Sequence, residues 1–329
     1  MKEKDGKAIA ILTGGLSGER PISLASAKQV EEWLAQAGYN PYIIDIRGFQ
    51  WTYTDGTGRQ YQFDASSFTL PLADGRIDFC AAMIAIHGDP GENGVLQGYL
   101  QMQGIPFTTG DVLAQSLSFH KGACKQFLQG IVPMAPSIET DCLSKIDAQA
   151  IDEKLGYPLF VKPNDNGSSV GVQKVKAKDQ LLPAVNQALA NANSIIIERA
   201  LEGIEVSCGM VQLNGKDTVF PITQLIAPAE FFDYQSKYDG STQEITPAPI
   251  AANTAEQIAN YTKAIYHRLN LKGIARADYI IQDDTPYFLE INTVPGMTSE
   301  SILPQQVAAH GWTMEDLLLQ LIEEAIARG

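Results

Sequence analysis

The chain begins its regular patterning with the apolar run "AIAIL" at residues 8–12, which breaks into "TGGLSGERPIS". Leu24, Ala27, Val30, Leu34 and Ala37 then recur at helical spacing. The pattern predicts a buried strand, a glycine-rich turn and a helix from about Ser23 that Gly38 stops. "PYIIDI" predicts the next strand, so the opening is a βαβ unit. Residues 51–76 are polar, aromatic and irregular, the pattern of an insertion or surface hairpin. Residues 78–86 restore a buried strand that ends in "HGDPGENG"; a short helix starts at Val95, and this first α/β unit closes near Val112.

From 113 to 205 the pattern predicts helices around 121–128, 147–155 and 179–192, and strands at "PLFVKP", "VGVQKV" and "SIIIERAL", with "NDNGSS" as a loop between the first two. Asn214-Gly215 is a two-residue hairpin signal and opens a third, antiparallel region. That region carries a long helix over about 254–269 and the hairpin pattern "GIARADYIIQDDTPYFLEIN". It ends in an amphipathic helix, "TMEDLLLQLIEEAIA", capped by Thr313 and Asp316.

The late hairpin carries the first chemistry. Arg276 and Asp278 are two apart, as are Glu290 and Asn292, so each pair shares a strand face. Without a bulge, both pairs are symmetric about residue 284, inside the turn chemistry of "QDDTP". Asp278 then faces Glu290, and Arg276 faces Asn292. Directly opposed Cβ atoms lie roughly 4.5–5.5 Å apart, where like charges repel. Two carboxylates and an amide gathered there suit a hard cation such as Mg²⁺ with substrate phosphates. The alternative is a solvated sheet face on which Arg276 neutralises the acids. "FVKPNDNGSSVGV" supplies a lysine, Lys162, and a glycine-serine loop suited to phosphate, and Lys121 is a second cation. No GxxxxGK[ST] is present, which excludes a P-loop protein.

Composition narrows the partners. The 329 residues are 45% hydrophobic, enough for two or three domains. Lys and Arg total 24 against 38 Asp and Glu, a formal net charge of -14, which disfavours nucleic acid and anionic membranes as partners. The N-terminal apolar run is too short for a signal peptide or membrane span. The four cysteines show no CxxC pairing, as expected of buried thiols in a reducing compartment, so a cytoplasmic location is expected.

Five stretches, in order and over nearly the full length, resemble the ATP-grasp superfamily and, within it, the D-alanine–D-alanine ligase family. "GGLSGERPIS" is similar to that family's N-terminal loop and "HGDPGENGVLQGYLQMQGIPFTTG" to its second motif. "VKPNDNGSSVGV" resembles its phosphate loop, "DYQSKY" its mobile loop, and "RADYIIQDDTPYFLEINTVPGMTSES" its metal- and product-binding stretch. The resemblance implies an α/β protein, α+β in its ATP-binding part, with the three-domain ATP-grasp fold. These domains are an N-terminal α/β substrate-binding domain (1–112), a central ATP-grasp subdomain (113–205) and a C-terminal one with metal- and product-binding residues (206–329). It further implies ligation of two D-alanines through D-alanyl phosphate, for peptidoglycan precursors. ATP and two Mg²⁺ or Mn²⁺ ions are the implied cofactors, and a homodimer the implied assembly.

The same resemblance assigns roles. Lys121 and Lys162 meet the ATP phosphates under the backbone around Ser168 and Ser169. Glu198 and Glu205 hold the adenine edge and ribose, with Arg199 and Leu201 in the same nucleotide-binding stretch. Asp278, Glu290 and Asn292 are the metal ligands. Glu19 holds the ammonium of the first D-alanine, linked to Ser169 and Tyr238, while Lys237 reaches the transferred phosphoryl group. Arg276 and the Gly296 N–H donate to the tetrahedral oxyanion. Ser301 and Ile302 receive the second carboxylate, and His87 lies on the substrate side.

Asn93, Pro21, Asp165-Asn166 and His120 depart from the family's usual residues. Glu19 also has a plainer reading, as a cap of the following helix. A relative joining D-alanine to D-lactate or D-serine would share these motifs. "TGGLSGE" as a dinucleotide loop would make an oxidoreductase, but G-x-G-x-x-G is not satisfied. A non-catalytic nucleotide-binding module is disfavoured by the full set of site residue types.

Overall fold

The computed structural model describes residues 7–165, 167, 171–226 and 242–329. Its N-terminal unit comprises β1 (Ala8–Gly14), α1 (Arg20–Gln36), β2 (Asn40–Arg47), β3 (Gln50–Thr54), β4 (Gln60–Gln62), β5 (Thr69–Leu72), β6 (Gly75–Asp78), β7 (Ala81–Ile84) and α2 (Val95–Gln103). The sheet order is β4-β3-β2-β1-β7, parallel where β1 meets β2 and β7. Both faces of β1 are buried, which is why it is a continuous apolar run without alternation. Helix α1 starts at Arg20, ahead of the apolar pattern, with Pro21 in the first turn where a missing N–H is harmless.

Residues 51–76, expected as an insertion or surface hairpin, do contain a hairpin but are not confined to the surface. β3 and β4 extend the sheet antiparallel, and β5–β6 form a separate hairpin. Trp51, Phe63, Phe68 and Phe79 are buried together, with ring centroids 5.2–5.8 Å apart. The aromatic content of this stretch therefore builds core over the second face of the sheet.

Next come α3 (Val112–Phe119), α4 (Lys121–Phe127), β8 (Ser137–Thr140), α5 (Ala148–Leu155), β9 (Leu159–Pro163), β10 (Gln173–Val175), α6 (Lys178–Leu189) and β11 (Ile195–Arg199). The four strands make an antiparallel sheet, β10-β9-β11-β8. Helices α5 and α6 cover it through Ile151, Leu155, Leu181 and Val185. Helices α3 and α4 instead join the core of the C-terminal sheet, where Ala114, Cys124 and Leu128 meet Ile258, Ile265 and Tyr279.

The last stretch holds β12 (Ile204–Leu213), β13 (Lys216–Val219), β14 (Thr223–Ile226), β15 (Gln243–Ile245), α7 (Ala252–Arg268), β16 (Ile274–Gln282), β17 (Thr285–Asn292), α8 (Ile302–Ala309) and α9 (Met314–Arg328). The sheet runs β15-β14-β12-β16-β17, with β13 on β12 through the Asn214-Gly215 turn. Asn214 and Gly215 both have positive φ, 51° and 73°, as that turn requires. Along β16, Ala275, Ala277 and Tyr279 enter the core under α7, leaving Arg276 and Asp278 on the opposite face. Helix α8 was hidden in the pattern because Pro304 reads as a breaker, yet it sits in the first turn. Helix α9 packs Leu317, Leu318 and Leu321 against Ile9, Ile11 and Met83, so the two chain ends share one core. Among the described residues no helix is long and apolar enough to cross a membrane.

Candidate active site

The β16–β17 hairpin places Asp278 opposite Glu290 and Arg276 opposite Asn292. Asp278 is buried, with both oxygens engaged. Arg276 donates to it bidentately, from Nε at 3.0 Å and Nη2 at 2.9 Å. The Asn292 amide donates at 2.9 Å, and the Ser207 hydroxyl donates from the adjacent strand β12. Glu290 lies 3.5 Å from the Lys121 ammonium. Asp278, Glu290 and Asn292 thus form a ridge of oxygen-bearing groups between two cations, the hard-donor set that suits a divalent ion sharing its shell with phosphate.

Helix α4 carries Lys121 at this cleft and the buried Lys125 behind it, four residues apart on one helix face. Lys125 was not anticipated. Its ammonium donates to one oxygen of the buried Glu198 carboxylate, and Lys162 of β9 donates to the other at 2.7 Å. Burial by itself would raise the Glu198 pKa, but the two ammoniums overcome it and hold the carboxyl at about 2. Burial likewise works against the Lys162 cation, and Glu198 keeps its pKa above the ordinary value. The signal for Lys125 was its spacing from Lys121; what called for it, the buried carboxylate, is a tertiary fact.

Lys121, Lys162, Glu198, Leu201, Glu205 and Glu290 all face one cavity of about 600 Å³ between the second and third sheets, a volume in the range of small-molecule sites. Arg199 lines it too, but its guanidinium turns to the end of α5, donating to the carbonyls of Leu155 at 2.7 Å and Lys154 at 3.4 Å. Any nucleotide contact from Arg199 therefore falls to its backbone.

A smaller cavity adjoins the ridge and is lined by Glu19, Glu92, Lys121, Gly167, Glu290 and Asn292. Glu19 occupies the N-cap position of α1, but its side chain makes no capping bond. Its carboxylate is instead buried beside Gly88 and Gly167, where a Cβ on either glycine would press against it. The N-terminal loop and the phosphate loop are therefore in contact at this carboxylate. Glu92, also unanticipated, is half-buried in this smaller cavity; burial, together with the charge of Glu19, raises its pKa to about 7. It accepts backbone N–H bonds from Gly88, Thr293 and Val294 at 2.8, 3.3 and 3.1 Å.

His87 is buried and spends both ring nitrogens on the protein, Nδ1 on the Val294 carbonyl at 2.7 Å and Nε2 on Ser26 Oγ at 3.0 Å. Gly296 lies in the turn that follows. Ser301 is the N-cap of α8, its hydroxyl 2.8 Å from that of Thr298, and Ile302 is the first helical residue. Ser168, Ser169, Lys237 and Tyr238 lie outside the described residues.

Two of the sequence departures have local explanations. The Asn93 amide donates to the Asp89 carboxylate, where an aspartate would place two negative charges together. His120 caps α4, its Nδ1 accepting from the Ala123 N–H at 3.1 Å, as an aspartate would.

Family models confirm the resemblance. "D-ala D-ala ligase N-terminus" matches residues 8–110 and "D-ala D-ala ligase C-terminus" residues 131–323. The D-alanine–D-alanine ligase of Porphyromonas gingivalis is 41% identical over 321 residues, covering 97% of each chain. Among solved structures, the VanG D-Ala:D-Ser ligase of Enterococcus faecalis superposes with a TM-score of 0.83 at 27% identity, over 98% of this chain and 99% of that one. The D-alanine–D-alanine ligase of Bacillus anthracis complexed with ATP gives 0.79 at 28% identity, over 98% of each chain. The chain belongs to the D-alanine–D-alanine ligase family and has its ATP-grasp fold.

Proposed function

We propose that this protein joins two D-alanines to D-alanyl-D-alanine at the expense of ATP, supplying the dipeptide for peptidoglycan precursors. A carboxylate is a poor acyl donor because its oxide does not leave. Transfer of the ATP γ-phosphoryl group to that oxygen gives D-alanyl phosphate and ADP. The amine of the second D-alanine then attacks the acyl carbon, the tetrahedral adduct collapses, and phosphate leaves. The observation that carries this reading is the convergence of Lys121, Lys162, Glu198, Glu205 and Glu290 on one cavity, with Glu290 and Asn292 also lining the smaller cavity beside Glu19 of the N-terminal loop.

In this reading Lys121 and Lys162 meet the phosphates, Glu198, Glu205 and Leu201 the nucleoside. Glu19 holds the first ammonium. Arg276 and the Gly296 N–H stabilise the oxyanion, and Ser301 with Ile302 receives the second carboxylate at a helix N-terminus, where N–H groups and the helix dipole favour an anion. Ser168, Ser169, Lys237 and Tyr238 complete the set on sequence grounds. Asp278, Glu290 and Asn292 would hold two Mg²⁺ or Mn²⁺ ions, whose charge would offset that of the transferring phosphoryl group. The proposed domains are 1–112, 113–205 and 206–329, and the proposed assembly is a homodimer in the cytoplasm.

Phosphate release from ATP, measured with D-alanine alone and in competition with D-serine and D-lactate, tests the reading when products are identified by mass. D-alanine-dependent release with the dipeptide as main product is expected. Release without D-alanine, or a mainly D-Ala-D-Ser or ester product, would sink it.

A further inference from the structure

Residues 293–297, "TVPGM", follow directly on Asn292 at the end of β17, yet the backbone groups of Thr293, Val294 and Met297 bond to the N-terminal unit. Glu92 accepts from the N–H groups of Thr293 and Val294. The Val294 carbonyl can only accept, so His87 Nδ1 carries a proton and donates to it at 2.7 Å. Burial disfavours a second proton on the ring. Nε2 is then the acceptor, and the Ser26 hydroxyl, 3.0 Å away, is its donor. Ser26 Oγ in turn accepts from the Met297 N–H at 3.2 Å. The result is a directed chain from Met297 N–H through Ser26 and His87 to the Val294 carbonyl. It closes a ring around Pro295 and Gly296. Ser26 lies on α1, one turn of which also carries Ser23, whose Oγ accepts from the His87 N–H at 3.0 Å.

We infer that Ser26 and His87 are positioning residues that act as one relay, fixing the Gly296 turn of the C-terminal unit relative to Glu19 of the N-terminal loop. Neither residue touches the reacting atoms. The relay sets the distance between the group that holds the first ammonium and the donor that meets the oxyanion, two elements from opposite ends of the chain. The inference rests on the proposed role of Gly296. It also makes a specific claim about His87: its ring is a neutral spacer with both nitrogens in use, and it does not shuttle a substrate proton.

A relay of this kind should matter most when the tetrahedral adduct forms, so the probe is a phosphinate dipeptide that mimics the adduct of two D-alanines. Three variants are compared with the native enzyme: Ser26→Ala, His87→Asn, which keeps a donor near the Nδ1 position, and the double variant. Ser26→Ala should weaken phosphinate inhibition about three- to tenfold, the net worth of one neutral hydrogen bond. The KM for ATP should stay within about twofold, and kcat should fall as the inhibition constant rises. Because the two residues form one chain, the double variant should lose less than the product of the single losses. Thermal unfolding checks that each variant is folded, and His87→Asn alone carries the test if Ser26→Ala is not. Phosphinate inhibition unchanged in the folded variants, or ATP affinity lost in the same proportion, overturns the inference. Strict multiplication of the two single effects also overturns the relay. A native enzyme without D-alanine-dependent turnover would instead overturn the proposed function beneath it.

Discussion

Asp278 pairs with Glu290, yet the next residue along, Tyr279, pairs with Phe288, so Leu289 is the extra residue of a β-bulge. The hairpin turns at Asp283-Asp284, both with positive φ of 49° and 61°. Continued from that turn without a bulge, the register would set Leu289 against Asp278 and Glu290 against Ala277. Glu290 would then point to the buried side of the sheet. One inserted residue therefore aims Glu290 at Lys121. Glu290→Gln keeps the volume and the bulge but removes the charge. It should lower kcat by about a hundredfold or more, comparable to deleting a strong electrostatic contact to the transition state, with Tm little changed. Phosphate release at saturating Mg²⁺ that stays within about twofold of native would refute the assignment.

This hairpin also shows what was legible in the sequence. The facing pairs follow from spacing, but by symmetry about residue 284 in a hairpin assumed regular. The actual turn is centred half a residue earlier, and the bulge restores the offset. Strand pairing near the site was thus correct for an incomplete reason, since bulges leave no periodic trace. Lys162, Glu19 and Asp278 were legible because each sits beside a turn or on an alternating strand. Lys125, Glu92 and Ser26 were not, because their partners lie 73, 201 and 271 residues away. Helix α8 and the aromatic core of residues 51–76 were obscured by Pro304 and by interspersed polar residues.

Lys125 and Lys162 share the two oxygens of Glu198, so removing Lys125 leaves the carboxylate with one cation. Lys125→Met should destabilise the fold by about 3 kcal/mol, as breaking a buried pair does. It should also raise the KM for ATP, because Lys162 is then held as the sole partner of Glu198. The depressed Glu198 pKa contributes stability that is present above about 4.5 and lost as pH falls toward about 2. In the variant the folded-state Glu198 pKa moves back toward its unfolded value, so stability is already lower at neutral pH and less of it is lost on acidification. Urea unfolding at pH 7 and pH 4 measures both effects, and Lys125→Arg should retain most of the native behaviour. Equal acid sensitivity in Lys125→Met and the native protein would count against the shared-carboxylate account.

Glu92 has the opposite sign. Its pKa is raised from 4.5 to about 7, so the folded state favours the protonated form. Its contribution to stability is full below about 4.5 and is lost as pH rises through about 7. Glu92→Gln cannot ionise, so the native protein should lose on the order of 3 kcal/mol relative to it between pH 4 and pH 8. Denaturant titrations of both proteins across that range give the difference directly. A difference independent of pH would show that folding does not raise the Glu92 pKa.

The N-terminus of α8 offers a test that separates backbone from side chain. Ser301 has φ -74° and ψ 150°, an extended conformation that accepts a following proline, and Ile302 is the first helical position. Ile302→Pro therefore removes one N–H donor while leaving the helix geometry in place. Its loss of buried apolar area should lower stability by about 1–2 kcal/mol. If that N–H meets the second carboxylate, the KM for the second D-alanine should rise about tenfold, as expected for losing a bond to a charged group. The KM for ATP and the affinity for the first D-alanine should be unchanged. Ser301→Ala removes only a hydroxyl now turned toward Thr298 and should act in the same direction on the same constant. Steady-state rates at varied D-alanine, fitted with two separate binding constants, resolve the two sites. A rise confined to the ATP constant, or equal shifts at both D-alanine sites, would place the second carboxylate elsewhere in the cleft.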